Sequence, residues 1–317
     1  MTESKVVVIQ KGFINGLVKN RHPPEVWEYW EYWINNSRDF RDFPVFQGGI
    51  SEMSPELHHS DFYKHWNQIE PGTIDLILSD PPYGLFGKDK KLTGLEWDIL
   101  PDIDEMQSIF DTLLKPNGQI ILFCDLSLLM ELLSGFTDEF QFRFYMLWIK
   151  PGGMPISKQR PINNSEFILV FRKRGSLEKD LTWNPYQMGE KGDPYIKRNS
   201  SPNIPTRRKK KSLVNANKDG WRFPKATLNY PSRPNMTKTE RSVSTHPCQK
   251  PEGLLRTLIK GFSDPGDLIL DPFAGSGSTL VAATHEGRQS IGFEIEERYY
   301  KEAEARLNNL TAQEVLF

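Results

Sequence analysis

The sequence predicts an α/β fold that is built on a wound sheet. Short apolar runs of strand length alternate with segments whose apolar residues recur at helical spacing. Two of these runs lead directly into loops that carry an acidic residue, Asp80 after the first and Asp271 after the second. Ligands bind at the carboxyl ends of strands in open α/β sheets. The pattern therefore predicts a ligand site along with the fold.

Length and composition are those of an ordinary globular chain. The 317 residues suffice for one large or two modest domains, and the net charge is −1. Two cysteines, Cys124 and Cys248, suggest no disulfide framework and predict a reducing, cytoplasmic location. No apolar run approaches the ~18 residues of a membrane span, and the N-terminus lacks signal-peptide features. We expect the aromatic-rich helix predicted at Glu25 to Trp33 to pack on the main domain, with docking of a partner or a second copy as the alternative.

The first half of the chain alternates between strand and helix patterns. A predicted helix begins at an Asp102 N-cap and stops at Pro116-Asn117-Gly118, and a glycine- and lysine-rich loop is expected at 85–93. Strands are predicted at 74–78, 120–124, 142–149 and 166–171, and a further helix at 126–133.

The last part of the chain returns to the same pattern after a basic segment. Helices are predicted at 254–262, 280–285 and 297–310, and strands at 268–270 and 290–293. Between Tyr195 and Arg241 there are thirteen basic residues and two acidic ones, without apolar periodicity. A solvated loop is the alternative, but interleaved aromatic residues favour a surface that faces nucleic acid. The contacts we expect there are Arg207, Arg208, Lys209, Lys210, Lys211, Trp221, Arg222 and Arg233.

The first chemical motif is the turn from Ser79 to Gly84, with the sequence S-D-P-P-Y-G. Its two prolines force the chain out of the strand in an extended turn. That turn presents the Asp80 carboxylate, the Pro81 carbonyl and the Tyr83 ring at the end of the strand. Taken alone, the motif is equally consistent with an ordinary proline-rich turn.

The second motif is the sequence D-P-F-A-G-S-G-S-T, from Asp271 to Thr279. Gly275 and Gly277 would let the backbone pass close to a ligand, and Glu294 follows Gly275 by 19 residues. That spacing is near the ~20 residues expected for an acid that accepts ribose hydroxyls. The loop is neither G-x-G-x-x-G nor a P-loop, so an adenosine-containing cofactor is favoured over a dinucleotide.

Together the two motifs resemble those of amino-group DNA methyltransferases that use S-adenosylmethionine. The motif order resembles the circularly permuted beta class of that family, over about residues 56–310. The resemblance implies a methyltransferase-type, Rossmann-like mixed sheet with helices on both faces and an inserted basic target-recognition region. It divides the chain into an aromatic-rich extension (1–55), a catalytic half (56–172), a target-recognition region (173–245) and a cofactor-binding half (246–317).

The resemblance also implies roles for individual residues. Thr245 to Pro251 is similar to the family segment whose lysine, here Lys250, meets the methionine carboxylate of the cofactor, and Trp97-Asp98 resembles adenine-modifying members. The implied catalytic residues are Asp80, Pro81, Pro82 and Tyr83. The implied cofactor-binding residues are Asp61, Phe62, Lys250, Asp271, Phe273, Gly275, Gly277, Ser278, Thr279 and Glu294, and no metal is expected.

The implied reaction is methyl transfer to N6 of an adenine flipped out of a specific double-stranded DNA sequence. Asp80 and Pro81 would accept hydrogen bonds from the amine, and Tyr83 would stack on the base. Cytosine N4 is the alternative target, and an inactive or RNA-directed relative is the alternative class. Pro247-Cys248 resembles the nucleophile motif of cytosine-C5 enzymes, but it precedes the glycine loop, so Cys248 is not expected to be a nucleophile. A homodimer and a cognate restriction endonuclease are the protein partners that the resemblance suggests.

Overall fold

A computed structural model describes residues 54–84, 97–152, 158–159, 161–198, 214–217 and 220–315. Residues 50–311 form one compact unit, and the fold reported below is that of this unit. The helix predicted at 25–33 and the loop predicted at 85–93 lie outside the described residues. Within the described ranges, no helix combines the length and apolar character needed to cross a membrane.

The described chain alternates between strands and helices over most of its length. The strands are β1 (Glu56–His59), β2 (Ile74–Ser79), β3 (Leu114–Cys124), β4 (Phe140–Ile149), β5 (Ser165–Lys173), β6 (Tyr195–Arg198), β7 (Val214–Asn217), β8 (Thr227–Asn229), β9 (Leu268–Asp271) and β10 (Gln289–Glu294). The helices are α1 (Phe62–His65), α2 (Ile103–Leu113), α3 (Leu126–Gly135), α4 (Pro185–Met188), α5 (Lys238–Ser242), α6 (Glu252–Phe262), α7 (Ser278–His285) and α8 (Glu297–Val315). Each predicted strand and helix within the described residues has a counterpart among these elements.

Eight of the strands form one mixed sheet, in the order β1-β10-β9-β2-β3-β5-β4-β8. Strand β5 runs antiparallel to both of its neighbours, whereas the other neighbouring pairs are parallel. Strands β6 and β7 pair separately as an antiparallel ribbon. The predicted α/β class is therefore confirmed.

The central strand β3 explains why helices cover both faces of the sheet. Its side chains alternate, because successive residues of a strand point to opposite faces. Ile120 and Leu122 belong to the apolar core that contains helices α2 and α3, whereas Ile121 and Phe123 belong to the core that contains α6. An apolar run buried on both faces is typical of parallel strands in α/β proteins.

Helix α2 starts where the sequence predicts, but it stops earlier. The Asp102 Oδ1 atom accepts a hydrogen bond of 3.0 Å from the Glu105 backbone N–H, which is the predicted N-cap. The helix ends at Leu113, and β3 begins at the next residue. Pro116-Asn117-Gly118 therefore does not stop the helix: it lies inside β3, where the register with β2 is irregular.

The basic segment contributes to the main sheet, which its sequence pattern does not predict. Strand β8 adds to the sheet edge beside β4, with Leu228 opposite Trp148. Leu228 is buried, although its neighbours Thr227 and Asn229 are exposed. One buried side chain in a three-residue strand is too short a pattern to recognise by periodicity.

We predict that Ile77→Ala strongly destabilises the fold. Ile77 has no exposed surface and lies between β3 and β9, opposite Ile120 and Leu270. Its truncation leaves a cavity in the centre of the sheet and should lower the free energy of unfolding by about 2–5 kcal/mol. Urea unfolding measures the loss. Leu177→Ala is the control, since Leu177 is 54% exposed and its loss should change stability by less than about 0.5 kcal/mol. Equal losses in the two variants would contradict this packing.

Candidate active site

Acidic side chains from four parallel strands meet at one edge of the sheet. Strands β1, β10, β9 and β2 are neighbours, so their carboxyl ends open on the same side. Asp61 and Asp80 follow β1 and β2, while Asp271 and Glu294 are the last residues of β9 and β10. All four line a cavity of about 1130 Å³. The sheet order thus brings together residues that are far apart in sequence.

The Asp80 turn is held by hydrogen bonds on both sides. The Tyr83 hydroxyl donates to Asp80 Oδ1 over 2.6 Å. The Gly84 backbone N–H donates to Asp98 Oδ1 over 2.9 Å, and Gly84 has a φ of +68°. Asp98 itself is buried, so the turn is fastened from within the protein. The carboxylate, the Pro81 carbonyl and the Tyr83 ring consequently have defined positions at the cavity wall.

Asp80 also belongs to a cluster of buried charges. Lys250 Nζ donates to Asp80 Oδ2 and lies 3.4 Å from Glu166 Oε2, while Lys150 Nζ donates to Glu166 Oε1. Burial raises the pKa of Asp80 above its usual value, and the Lys250 ammonium opposes that rise. Burial also disfavours the charged form of Glu166, but the ammonium groups of Lys250 and Lys150 hold its pKa below its usual value. The cluster therefore keeps carboxylate charge in a place where burial alone would neutralise it.

The opposite part of the cavity is formed by Glu294 and the glycine loop. Glu294 Oε2 accepts a hydrogen bond of 2.8 Å from the Gly275 N–H, and Oε1 accepts one of 2.7 Å from the Glu296 N–H. Because each carboxylate oxygen has two acceptor positions, both oxygens can still accept a hydroxyl of a ligand. Burial raises the pKa of Glu294 to about 7.

A side chain at position 275 would obstruct the access of a ligand to Glu294, and the residue there is a glycine. Its φ is +53°, and an added Cβ would lie 3.3 Å from His246 Nε2. The His246 ring is itself packed against Tyr299, with ring centroids 4.4 Å apart, and it lines the cavity. A glycine at this position keeps the backbone open towards the cavity. The arrangement suits a ligand that carries a pair of hydroxyls.

A family model whose description is DNA methylase (N6_N4_Mtase) matches residues 74–305. The matched span contains the Asp80 turn, the charged cluster and the glycine loop, and it exceeds half of the chain. The chain belongs to the DNA methylase family.

This DNA methylase is similar in sequence to type II methyltransferases. It is 27% identical over 267 residues to Type II methyltransferase M2.DpnII of Streptococcus pneumoniae, a match that covers 79% of this chain and 88% of the relative. It is also 27% identical over 264 residues to Type II methyltransferase M.HpaI of Haemophilus parainfluenzae, covering 81% and 75% of the two chains.

Two solved structures share the fold of the DNA methylase. The M1.HpyAVI–SAM complex matches with a TM-score of 0.51 at 24% identity, covering 79% of this chain and 98% of the other. The cytosine-N4-specific PvuII DNA methyltransferase matches with a TM-score of 0.56 at 16% identity, covering 82% and 92%. At these identities the matches support the fold, and the mixed sheet with helices on both faces agrees with them.

Most of the residues predicted for the site lie along this one cavity. They are Asp61, Phe62, Asp80, Pro81, Pro82, Tyr83, Arg233, Lys250, Asp271, Phe273, Gly275, Ser278, Thr279 and Glu294. Two of them are engaged mainly within the protein. Phe62 is 2% exposed and packs in the core, and Asp271 Oδ1 accepts hydrogen bonds from the Ser79 hydroxyl and the Phe273 N–H. These two residues shape the cavity wall from behind.

The remaining predicted residues lie elsewhere. Gly277 is absent from the cavity lining and is instead the N-cap of α7. Trp221 and Arg222 belong to a segment bonded to residues 190–192, away from the cavity. Arg207, Arg208, Lys209, Lys210 and Lys211 lie outside the described residues. Their contact with DNA stays a prediction.

The structure adds cavity residues that the motifs did not indicate. Glu166, Trp148 and His246 all line the cavity. Glu166 is the second residue of β5. The sequence feature that could have indicated it is an acidic residue directly before the apolar run of that strand. Cys248 also lines the cavity; the residue is exposed at the protein surface, but desolvation of its thiol together with the nearby Asp80 carboxylate raises the pKa of that thiol to about 11. A thiol held in this form is poorly suited to be a nucleophile, because the thiolate is the reactive species.

We predict that Gly277→Ala destabilises the fold more than Gly287→Ala does. Both glycines have a φ of +70°, but a Cβ on Gly277 would lie 3.0 Å from the Ala303 Cβ, whereas a Cβ on Gly287 meets no atom within 4 Å. Both variants incur the backbone cost of about 1–2 kcal/mol, and only Gly277→Ala adds an overpacking cost of about 1–3 kcal/mol. Thermal unfolding measures both. Adding Ala303→Gly to Gly277→Ala should recover the overpacking cost, and equal losses in the two single variants would contradict the contact.

Proposed function

We propose that this chain is a site-specific DNA methyltransferase that methylates N6 of an adenine flipped out of double-stranded DNA, with S-adenosylmethionine as the methyl donor. The observation that carries the proposal is that one cavity joins a partly buried carboxylate in a D-P-P-Y turn, Asp80, to a buried carboxylate beside a glycine loop, Glu294. The first suits an amine that must be oriented, and the second suits a ribose.

The residues present fit S-adenosylmethionine at the Glu294 end of the cavity. Glu294 has acceptor positions left on both oxygens, and Gly275 lacks the side chain that would fill the approach. In this proposal Glu294 accepts the ribose hydroxyls, and Asp61 with Phe62 bounds the adenine. When bound, S-adenosylmethionine supplies an electrophilic methyl group. The similarity in fold to a structure solved as a SAM complex agrees with this assignment.

At the other end, Asp80 and Pro81 orient the target amine. An exocyclic amine is a weak nucleophile, because its lone pair is delocalised into the ring. Hydrogen bonds from its two N–H groups to the Asp80 carboxylate and the Pro81 carbonyl favour a pyramidal nitrogen. The chain then accelerates the reaction through positioning and electrostatics. Tyr83, whose hydroxyl is fixed on Asp80, offers its ring to the flipped base.

Several finer features belong to the same proposal. The Asp of D-P-P-Y and the order of the motifs favour the permuted beta class and adenine N6. We assign residues 56–172 and 246–317 to its catalytic and cofactor-binding halves and 173–245 to target recognition. The similarity to type II methyltransferases supports duplex DNA as substrate and a cognate restriction endonuclease as a partner. A homodimer remains a proposal from the family resemblance alone.

Cytosine N4 is the second candidate target. The family model spans both N6 and N4 methylases, and the PvuII enzyme of similar fold is cytosine-N4-specific. Expression of the chain in cells that lack DNA methylation, followed by sequencing that detects modified bases, distinguishes the two. We expect N6-methyladenine at one short sequence. N4-methylcytosine would support the second candidate, and unmodified DNA from cells that contain folded protein would contradict both.

We predict that Asp80→Ala abolishes methyl transfer while affinity for S-adenosylmethionine stays within several-fold. The variant loses an acceptor that matters mainly in the transition state, and turnover should fall on the order of 10²-fold or more. Transfer of a radiolabelled methyl group to DNA measures turnover, and calorimetry measures cofactor binding. Asp180→Ala removes a half-exposed carboxylate outside the cavity and should leave both unchanged. Turnover above about a tenth of wild type in Asp80→Ala would contradict the role.

We predict that affinity for S-adenosylmethionine falls as the pH drops from about 8 to about 6. The pKa of Glu294 is raised to about 7, and only its ionised form accepts from both ribose hydroxyls. Below that pKa, protonation should cost up to about tenfold in affinity for each pH unit. Calorimetric titration across this range measures the effect. Glu294→Gln should bind more weakly and lose this pH dependence; the same dependence in both proteins would show that another group is responsible.

A further inference from the structure

Both oxygens of Asp80 already accept a hydrogen bond before any substrate arrives. The Tyr83 hydroxyl donates to Oδ1, and the Lys250 ammonium donates to Oδ2. The proposed function requires this same carboxylate to accept a hydrogen bond from the target amine. Because an ammonium is a stronger donor to a carboxylate than a neutral amine, Lys250 competes with the amine for Oδ2 as long as it stays there. A second place for Lys250 would leave Oδ2 to the amine.

Glu166 provides that place at very short range. Its Oε2 atom lies 3.4 Å from Lys250 Nζ, and its Oε1 atom is already paired with Lys150. Among the described residues, the buried Oε2 atom accepts no hydrogen bond. Lys250 is therefore already ion-paired with Glu166, and Oε2 still has the capacity to accept a hydrogen bond from it.

Three aromatic rings lie close to the Lys250 ammonium. The Lys250 Nζ atom is 5.1 Å from the ring centroid of Phe123, 5.8 Å from that of Trp148 and 6.0 Å from that of Tyr83. Ring faces stabilise a cation at such distances. The ammonium can therefore shift from one carboxylate to the other without leaving surroundings that stabilise its charge.

We propose that Lys250 occupies the amine-accepting position of Asp80 until the target base arrives and then moves onto Glu166. The inference rests on the proposed function, and it makes Glu166 a positioning residue that acts through Lys250. While Lys250 is in place, its ammonium favours the ionised form of Asp80 and fixes the orientation of the carboxylate. Once Lys250 has moved, Asp80 Oδ2 is available to the amine, and the cation stays within the cluster.

The protonation states agree with this exchange. Burial opposes the charge on Lys250, but the carboxylates of Asp80 and Glu166 raise its pKa above its usual value, so the residue remains an ammonium. It can donate to either carboxylate but cannot remove a proton from the substrate. Glu166, whose pKa lies below its usual value, is ionised and ready to accept.

The test is a double-mutant cycle of Glu166→Gln and Lys250→Met. Single-turnover methyl transfer is measured at saturating S-adenosylmethionine, on a duplex that contains the site identified by sequencing. An alkaline buffer keeps Asp80 ionised in every variant. Glu166→Gln leaves Lys250 on Asp80, so we expect the rate to fall roughly 10- to 100-fold, the usual effect of one charge-assisted hydrogen bond. On the Lys250→Met background the same substitution should change the rate by no more than about twofold.

Two further variants separate this role from a structural one. Glu178→Gln removes an exposed carboxylate that pairs with Arg143 outside the cavity, and it should leave the rate unchanged. Glu166→Asp retains the charge and should retain more activity than Glu166→Gln; it also replaces that variant in the cycle if Glu166→Gln does not fold. Calorimetric affinity for S-adenosylmethionine should be the same in wild type and Glu166→Gln.

The outcomes that overturn the inference are distinct from those that overturn the proposed function. Wild-type protein that transfers no methyl group contradicts the proposed function. An active wild type with an unaffected Glu166→Gln variant contradicts only the role of Glu166. If the double variant loses rate by the product of the two single-variant losses, Glu166 acts independently of Lys250, and this result would also overturn the inference.

Discussion

The balance of buried charge around Asp80 is the constraint on which the site depends. An isolated carboxylate at this depth would be neutralised by protonation, and a protonated Asp80 is a poor acceptor for an amine. Lys250 opposes this protonation, but a lysine shared between two carboxylates needs further charge compensation, which Lys150 supplies on Glu166. The charged cluster therefore forms only when four parts of the chain come together: the D-P-P-Y turn, the start of β5, the end of β4 and the segment before α6.

The two halves of the cavity use different means to hold a carboxylate. Glu294 is held by backbone N–H groups of Gly275 and Glu296, which are fixed by the fold. Asp80 is held by the side chains of Tyr83 and Lys250. Under our proposals this difference matches the two ligands: the backbone donors hold the carboxylate that meets the cofactor, and the side-chain donors hold the carboxylate from which Lys250 moves when the substrate arrives.

The sequence predicted most of the site because most of it lies on parallel strands. Asp80, Asp271 and Glu294 each follow or end an apolar run, and the carboxyl ends of parallel strands share one edge. Glu166 escaped prediction because β5 is the antiparallel strand, so its beginning, and not its end, lies at that edge. Gly277 was interpreted as a ligand contact, since the motif alone does not reveal that Ala303 packs against it. Contacts of this kind are set by tertiary packing and leave no local pattern.

The described part of residues 173–245, to which we assign target recognition, contacts the same elements that carry the charged cluster. Strand β8 pairs with β4 as far as Ile149, one residue before Lys150. The Trp148 indole N–H donates a hydrogen bond of 2.9 Å to the Tyr230 carbonyl. Arg233 donates one of 2.7 Å to the carbonyl of Ser244, which lies in the segment that leads to Lys250. A displacement of this region would therefore act on both lysines that balance Asp80 and Glu166. If residues 173–245 recognise DNA as we propose, direct contacts of one strand and one short segment link that recognition to the charges around Asp80.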